Sequence, residues 1–321
     1  MSARHGDIAD STASRPFAQV DVFTEVPTLG NPVAVVLDGD GLTDQEMAAF
    51  ARWTNLSETT FLLPPSHHGA AGGADYRLRI FTPGGELPFA GHPTLGSCHA
   101  WLEAGGSPRA SDVVVQECGV GLVTIRRETA AAVVPGSVGP DEDPDEDAPG
   151  GLAFAAPDLL VDAPVPADDL AAIVAALGVP DDAVVDHRVL DNGPGWRVVL
   201  LDSADRVAGL VPDWTRLRAE HPDLSVGVVG LYGDDGGPDG AAVEVRGFAL
   251  AMGIPEDPVT GSLNAVVGQW LTRDGRLPDR YLAAQGAALG RAGRVRVRRD
   301  GSGTVWVGGA SVTCVAGTVR L

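Results

Sequence analysis

The sequence carries an internal repeat, and this feature constrains the fold more than any other. Each copy has an apolar, strand-like run, then a loop rich in glycine and proline, then a helix that ends in Trp-Leu. The first copy has Arg79-Ile80-Phe81, Pro93-Thr94-Leu95-Gly96 and Trp101-Leu102, and the second has Arg246-Gly247-Phe248, Pro258-Val259-Thr260-Gly261 and Trp270-Leu271. The repeat predicts two similar halves whose helix N-termini face one cleft, where free N–H groups would bind an anion such as a carboxylate.

Hydrophobic periodicity predicts more strands than helices, with one central helix in each half. Strands are expected at 18–23, 33–37, 58–63, 76–81, 113–116, 121–126, 197–201, 225–232, 243–248, 295–298, 304–307 and 313–321. Helices are expected at 43–54, 93–104, 168–177 and 261–272. Thr43 and Glu46 have the spacing of a capping box at the start of the first helix.

The length of 321 residues favours two domains. Residues 1–15 are polar and are expected to form a flexible leader. Residues 135–151 consist almost wholly of proline, glycine and acidic residues, so they are expected to form a linker or a solvated excursion. The predicted domains are therefore 16–134 and 152–310.

The chain contains no lysine, since all 23 of its Lys+Arg residues are arginine. Pyridoxal-phosphate enzymes and Schiff-base aldolases need a lysine, as does a Walker-type phosphate loop, so these classes are excluded. The formal net charge of −20 argues against binding to nucleic acid or to anionic lipid. The N-terminus lacks the apolar core of a signal peptide, and three sparse cysteines show no metal-ligand spacing, so a cytoplasmic protein is expected.

Three polar residues in apolar or turn-rich surroundings could carry chemistry. Glu58 enters an apolar strand, and burial would raise the pKa of its carboxyl and suit it to acid–base work near neutrality. His92 stands at a helix start, where the helix dipole favours neutral imidazole. Asp257 precedes a proline, which favours extended backbone before the next helix. A surface glutamate, a helix-capping histidine and an ordinary N-cap loop are the structural alternatives, and the residues alone leave them open.

The segment after Asp257 leads into the second central helix. Thr260 or Ser262 could cap this helix, and the N–H groups of Gly261 and Ser262 would then be free to meet an anion. No histidine or carboxylate stands three or four residues after His92, so no metal site is predicted.

Several motifs, taken in order along the chain, resemble signatures of the PhzF family, the phenazine-biosynthesis isomerases and their relatives. The resemblance runs from about Phe17 to the C-terminus, and its most specific part is the pair AGHPT and EDPVTGS. The motifs are Asn31-Pro32-Val33-Ala34-Val35, Asn55–Phe61, Arg79–Gly96, Asp191-Asn192-Gly193-Pro194, Glu256–Ser262 and Gly317-Thr318-Val319.

The resemblance implies an α+β, diaminopimelate-epimerase-like fold: two similar domains, each a β-barrel-like sheet wrapped around a central helix, with the active site between them. It also implies that the final strand, 311–321, returns to the first domain, that the protein is a homodimer, and that no cofactor is needed. Carried over by position, Glu58 matches the acid/base glutamate, His92 the substrate-holding histidine and Asp257 its acidic partner. The substrate-carboxylate and polar contacts match four further residues, Ser57, Gly91, Gly261 and Ser262.

These features lead to one functional hypothesis and two alternatives. The hypothesis is a cofactor-independent isomerase that shifts a proton and a double bond in a small unsaturated cyclic or amino carboxylic acid, in specialised-metabolite, phenazine-like biosynthesis. The alternatives are a catalytically silent small-acid-binding protein of the same fold, and a hydrolase or C–C lyase that uses water activated by Glu58. A two-thiol racemase is disfavoured, because no cysteine stands in the loops before the two central helices.

Overall fold

A computed structural model describes residues 13–129, 149–221, 223–250 and 254–321. Its strands are β1 (Ser14–Val22), β2 (Asn31–Val36), β3 (Thr59–Leu63), β4 (Tyr76–Thr82), β5 (Gly85–Leu87), β6 (Val113–Cys118), β7 (Gly121–Thr129), β8 (Pro149–Ala155), β9 (Val161–Ala163), β10 (Val184–Asp191), β11 (Trp196–Leu201), β12 (Ser225–Leu231), β13 (Val243–Phe248), β14 (Arg280–Gln285), β15 (Gly293–Arg299), β16 (Val305–Gly309) and β17 (Ser311–Arg320). Its α-helices are α1 (Asp44–Thr54), α2 (His67–Ala71), α3 (Gly91–Glu103), α4 (Ala167–Leu177), α5 (Ala204–Ala208), α6 (Trp214–Glu220) and α7 (Gly261–Arg273). Short 3-10 turns lie at Asp181–Ala183, Pro238–Gly240 and Ala287–Leu289.

The two halves of the chain repeat one strand topology. In the first half the order β1-β2-β3-β4-β6-β7 has pairings that are antiparallel, parallel, antiparallel, parallel and antiparallel. In the second half the order β10-β11-β12-β13-β14-β15 has the same succession of pairings. Helix α3 precedes β6 in one half, and α7 precedes β14 in the other. The repeat that the sequence predicts is therefore present in the architecture.

Two strands connect the halves into a single sheet. Strand β8 pairs with β7 of the first half and with β16 of the second. Strand β17, at the end of the chain, returns to pair with β1 along its whole length. The return of this strand agrees with what the resemblance implies, whereas the division into domains at 16–134 and 152–310 stays a prediction.

Each half wraps its sheet around one buried helix. Gly96 allows α3 to approach the strands closely, because a Cβ atom there would lie 2.4 Å from Val33 Cγ1. Gly268 has the same role in α7, where a Cβ would lie 2.7 Å from Val297 Cγ1. Trp270 on α7 is fully buried. These close contacts hold the two helix N-termini at fixed positions, which matters for the site between them.

All four predicted helices are present, and the capping box is confirmed: the Thr43 N–H donates to Glu46 Oε2 and the Glu46 N–H to Thr43 Oγ1. The repeat differs in one detail, because the structurally equivalent helix starts are Gly91 and Gly261. The two Pro-x-x-Gly motifs are therefore out of register, since Pro93 lies inside α3 and Pro258 precedes α7.

The structure places the described ends of the predicted leader and linker in strands. Ser14 and Arg15 belong to β1 because Arg320 and Val319 provide backbone partners for them. The last three residues of the 135–151 stretch belong to β8, whereas residues 1–12 and 130–148 lie outside the described residues. None of the helices in the described ranges has the length and apolar character needed to span a membrane.

Candidate active site

The N-termini of the two central helices meet at the centre of the molecule. A Cβ atom on Gly261 would lie 3.4 Å from Gly91 Cα and 3.4 Å from the His92 backbone nitrogen. The residues that precede the helices, Ala90 and Thr260, make no side-chain hydrogen bond to the helix they precede. Two positive helix-dipole ends therefore point at one another, and an anion between them would be stabilised by both.

The first of these helix starts needs glycine. A Cβ on Gly91 would lie 2.6 Å from Cζ of Phe154, which belongs to the connecting strand β8. No rotation of the added methyl group relieves such a contact, so a larger residue would have to displace the helix start or the ring. The backbone at Gly91 is thus held close to both the partner helix and the strand that links the halves.

Glu58 and His92 form a buried carboxyl–imidazole pair beside the helix starts. Glu58 precedes β3, His92 is the second residue of α3, and Glu58 Oε2 lies 3.4 Å from His92 Nε2. The two residues are 7% and 5% exposed. Neither atom has another hydrogen-bond partner within the described residues. The pair is therefore sealed from bulk water and is left with hydrogen-bonding capacity for a ligand.

Burial favours the neutral form of both groups. It raises the pKa of Glu58 to about 8, with a further contribution from the negative charge of Asp257. Burial also lowers the pKa of His92 to about 3, against the opposing effect of a hydrogen bond to the Pro32 backbone. At neutral pH the contact is consequently between a protonated carboxyl and a neutral imidazole, and not between two ions.

The contact between Glu58 and His92 Nε2 favours the tautomer of His92 that carries its hydrogen on Nδ1, because a protonated carboxyl needs an acceptor. Nδ1 is the ring nitrogen on the side of Asn31, the residue before Pro32, at 3.4 Å from Asn31 Nδ2. With the ring hydrogen on Nδ1, Nε2 presents a lone pair toward Glu58, and it can accept the proton that Glu58 carries.

Asp257 reaches the same place from the second half of the chain. Its backbone N–H donates to the Gly247 carbonyl at 2.8 Å, which holds the loop against β13. Its Oδ1 accepts from Asn31 Nδ2 at 3.0 Å, and its Oδ2 accepts from Thr260 Oγ1 at 2.7 Å. Burial raises the pKa of Asp257 to about 6, although these two donors lower it. Asp257 is thus the carboxylate of the site, and Glu58 is the carboxylic acid.

The loop that carries Asp257 is also anchored by an ion pair. Arg246 on β13 forms a two-pronged pair with Glu256, with nitrogen–oxygen distances of 2.8 and 2.7 Å. Arg246 also donates to the Leu210 carbonyl at 2.7 Å. Its side chain is 5% exposed, so the geometry of this pair is protected from water. The position of Asp257 therefore depends on contacts on both sides of it.

Asn31 is the site residue that reasoning from the sequence did not assign. It is fully buried at the start of β2, and its Nδ2 donates to Asp257 Oδ1 and to the Val259 carbonyl at 2.8 Å. It therefore connects the two halves across the site, beside His92. Its one signal in the sequence is its place at the head of the motif Asn31-Pro32-Val33-Ala34-Val35.

The predicted substrate-contact residues lie at the helix starts or beside Glu58. Ser262, in the first turn of α7, accepts at Oγ from Trp196 Nε1 at 3.2 Å, which leaves its hydroxyl hydrogen free to be donated. Ser57 is half-buried next to Glu58. Thr260 occupies the N-cap position, as expected, but its hydroxyl bonds to Asp257 and does not cap the helix. The roles of Ser57, Gly91, Gly261 and Ser262 in substrate binding stay predictions.

No metal centre is found in the part of the chain that the structure describes. Within it, no three or more His, Cys, Asp or Glu residues form a group that could hold a metal ion. The polar groups that line this site are the carboxyl groups of Glu58 and Asp257, the imidazole of His92 and the two helix N-termini.

Two repeated half-barrels whose central helices meet end to end define a diaminopimelate-epimerase-like fold. A family model described as "PhzC-PhzF: Phenazine biosynthesis-like protein" matches residues 20–317, and the chain belongs to this family. The crystal structure of the Bacillus anthracis phenazine biosynthesis protein of the PhzF family superposes with a TM-score of 0.76 at 22% identity, covering 96% of this chain and 100% of that one. At this identity the likeness concerns the fold.

Curated relatives cover nearly the whole chain. Antisense-enhancing sequence 1 of Schizosaccharomyces pombe is 36% identical and covers 94% of this chain and 97% of its own length. Trans-2,3-dihydro-3-hydroxyanthranilate isomerase of Pseudomonas aeruginosa is 32% identical and covers 89% of this chain and 91% of its own length. The relatives named as isomerases and epimerases place this chain in the isomerase class of enzymes.

Proposed function

We propose that this enzyme moves a proton and a double bond within a small, unsaturated cyclic or amino carboxylic acid, without a cofactor. One observation carries the proposal: a buried carboxylic acid and a neutral imidazole, 3.4 Å apart, lie beside two helix N-termini that lack side-chain caps. The helix ends suit a substrate carboxylate, and the pair suits proton transfer next to it.

The ionised form of Glu58 is the base of the proposed reaction. It takes a proton from a carbon next to a double bond, and the electrons of the broken C–H bond form a new double bond with the neighbouring carbon. The original double bond shifts its electrons to the far carbon, which accepts the proton back from Glu58. The atoms balance without a cofactor or co-reactant, and the carbon skeleton is unchanged. A pKa of about 8 suits this work, because a base is most effective when its pKa is near the working pH.

The other polar groups hold the substrate and stabilise charge. His92 Nε2, with its lone pair directed toward Glu58, suits a hydroxyl or amino group of the substrate and the proton in transit. Asp257, as the carboxylate, repels negative charge and favours a cationic or N–H group on its side of the cleft. The helix starts at Gly91 and Gly261, together with the Ser262 hydroxyl, would bind the carboxylate.

These proposed contacts and the Pseudomonas aeruginosa relative support the proposed substrate class. A small acid with a hydroxyl or amino group close to its carboxylate matches the site, and trans-2,3-dihydro-3-hydroxyanthranilate, named in that relative, has this character. We therefore propose a role in specialised-metabolite biosynthesis of the phenazine kind, with a compound of this class as substrate and the cytoplasm as the location.

A panel of small cyclic and amino acids, headed by trans-2,3-dihydro-3-hydroxyanthranilate, tests the proposal with product analysis by NMR. Wild type is expected to return an isomer of equal mass, and Glu58→Gln is expected to lose about 10²–10⁴-fold in rate, the usual contribution of general acid–base catalysis. Glu244→Gln is the matched control, because Glu244 is also buried, at 3% exposure, but binds Tyr232 and lies outside the pair. Equal rates for Glu58→Gln and Glu244→Gln would contradict the proposal.

The same product analysis separates the two alternatives. A product that has gained water or lost a fragment would support hydrolysis or C–C cleavage by water at Glu58. No turnover of any acid, combined with tight binding of one of them, would support a silent binding protein. The buried pair favours catalysis over a silent binding protein, because a group that only binds an anion gains nothing from a carboxyl held largely protonated.

We also propose that the enzyme is a homodimer that associates along β17. Within the described residues, β17 pairs with β1 and with no other strand, so its second edge is open. Val315 on this strand is 49% exposed. At the end of the chain, Trp53 is 78% exposed beside a groove of about 610 Å³ that Val319 and Leu321 help to line. An open strand edge can pair with a second copy about a two-fold axis.

Sedimentation equilibrium tests this association. Val315→Lys is expected to shift the enzyme from dimer to monomer, whereas the control Val211→Lys, at a position that is 91% exposed in a loop, is expected to leave it dimeric. A dimer that persists in Val315→Lys places the interface elsewhere, and a monomeric wild type contradicts the association itself.

A further inference from the structure

The amide of Gln285 has a single possible orientation. Its Oε1 accepts from the backbone N–H of Thr260 at 3.0 Å, and a backbone N–H can only donate. Asn264 Nδ2 donates to the same oxygen at 2.9 Å. The Nε2 of Gln285 must therefore be the donor to the Asp257 carbonyl at 3.1 Å and to Thr260 Oγ1 at 2.9 Å. Gln285 is 1% exposed, so water does not compete for these bonds.

This orientation fixes the direction of the Thr260 hydroxyl. Its oxygen already accepts a hydrogen from Gln285, and its own single hydrogen has Asp257 Oδ2 at 2.7 Å as its acceptor. Thr260 is 6% exposed. Gly247 leaves room for the hydroxyl, because a Cβ on Gly247 would lie 2.6 Å from Thr260 Oγ1. The chain of hydrogen bonds from Gln285 therefore ends in a donor to Asp257.

Asp257 receives a second permanent donor on its other oxygen. Asn31 Nδ2 donates to Oδ1 at 3.0 Å, and an amide cannot release that hydrogen. The two donors stabilise the ionised form of Asp257, and a proton on either oxygen would weaken the hydrogen bond that this oxygen accepts. Glu58 has no such donor on its Oε2, which is without a hydrogen-bond partner within the described residues.

We propose that Thr260 and Gln285 are positioning residues that keep Asp257 as an acceptor-only carboxylate, so that the transferable proton of the site resides on the Glu58–His92 pair. Neither residue reaches the carbon chemistry itself, because both act through Asp257. The inference deepens the proposed function and depends on it only for the consequence for turnover, since the location of the proton can be measured without substrate.

Several charged or titratable groups act on Asp257. From the first half these are Glu58, whose pKa Asp257 raises, and His92, which lies beside Asn31. From its own loop it is Glu256, whose negative charge raises the pKa of Asp257 and which is paired with Arg246. None of these groups is changed by substitution of the Thr260 hydroxyl, so a series at Thr260 isolates its effect.

The experiment is a carboxyl ¹³C NMR titration of substrate-free enzyme labelled at the Asp and Glu side-chain carboxyls. Asp257→Asn and Glu58→Gln assign the two resonances. Thr260→Val removes the donor, and Asp257 is then expected to bind its proton about tenfold more tightly, while the proton affinity of Glu58 falls. Thr260→Ser restores the donor and should restore the wild-type proton affinities of both Asp257 and Glu58. Thr260→Cys, a weaker donor, should fall between them, and it serves if the valine variant does not fold.

The matched control is Thr272→Val. Thr272 is equally buried, at 6% exposure, and its hydroxyl donates to the Gly268 carbonyl on the same helix, away from the site. This variant should change the thermal unfolding midpoint but neither carboxyl titration. If Thr260→Val and Thr260→Cys titrate as Thr272→Val does, the inference is wrong, even where isomerase activity is confirmed. If the titrations shift but no acid is turned over, the inference stands and the proposed reaction is wrong.

Discussion

Burial of the Glu58 carboxyl should make the wild-type enzyme less stable than a variant that cannot ionise at this position. Burial and the charge of Asp257 raise the pKa of Glu58 from 4.5 to about 8. The folded state therefore holds this proton over a pH range in which the unfolded chain has released it. Glu58→Gln replaces the carboxylic acid by an amide of the same shape, which carries no charge at any pH.

The sign and the size follow from linkage. Because the pKa is raised by folding, the folded state binds more protons, and the free energy of unfolding falls as the pH rises from about 4.5 to about 8. Relative to a group that stays neutral, Glu58 lowers the free energy of unfolding by about 1 kcal/mol near pH 5 and by about 3 kcal/mol near pH 7. Glu58→Gln should therefore be more stable than wild type by a margin that grows with pH.

The assay is urea unfolding of wild type and variant at several pH values between about 5 and 9. Glu117→Gln is a control of opposite sign. Burial would raise the pKa of Glu117, but hydrogen bonds from Ser66 outweigh it and lower the pKa. Glu117→Gln should consequently have a lower free energy of unfolding than wild type. This difference should already be present at the lowest pH of the series and should not grow as the pH rises. A constant difference between Glu58→Gln and wild type, or a more stable wild type, would refute the reasoning.

Three further predictions concern the same site. In pH–rate profiles, kcat/KM should rise with pH and level off above about pH 8, because only ionised Glu58 can remove a proton, and a flat profile would contradict this assignment. Gly91→Ala should lower kcat/KM at least about a hundredfold in steady-state assays, since its Cβ would lie 2.6 Å from Phe154 Cζ and shift the helix start; unchanged kinetics would mean that this helix end does not bind substrate. Asn31→Leu removes a donor from Asp257, so calorimetry should show destabilisation of about 1–3 kcal/mol, and unaltered stability would show that the bond contributes nothing.

Much of the architecture could be predicted because its signals are local. The four helices and most strands follow from apolar periodicity, and the two halves follow from the repeated strand, loop and helix. Five of the described strands were not predicted: β5, β8, β9, β10 and β14. Strand β10 was missed because its residues are mostly half-buried, which leaves no clear alternation. Helices α2, α5 and α6 have only 5 to 7 residues, too few for a helical period to show.

The site residues also divide into those that the sequence indicates and those that only the structure shows. Glu58, His92 and Asp257 stand in recognisable motifs at element starts, so the sequence points to them without any knowledge of contacts. Asn31 and Gln285 have functions that exist only through distant partners: Asn31 bonds to a residue 226 positions away, and Gln285 to one 28 positions away. An amide in a strand start or strand end carries no local sign of such a contact. The structure is needed to show which side of each amide donates.

Transfer of hydrogen by Glu58 is the central claim, and conversion of substrate in D₂O tests it most directly. Wild-type enzyme should release an isomer that carries deuterium on the carbon that receives the proton, because the proton that Glu58 has taken from the substrate exchanges with solvent on Glu58 before it is returned. Glu58→Gln should release no labelled isomer at a rate comparable to wild type. Turnover of Glu58→Gln at the wild-type rate, with the same deuterium in the product, would contradict the account.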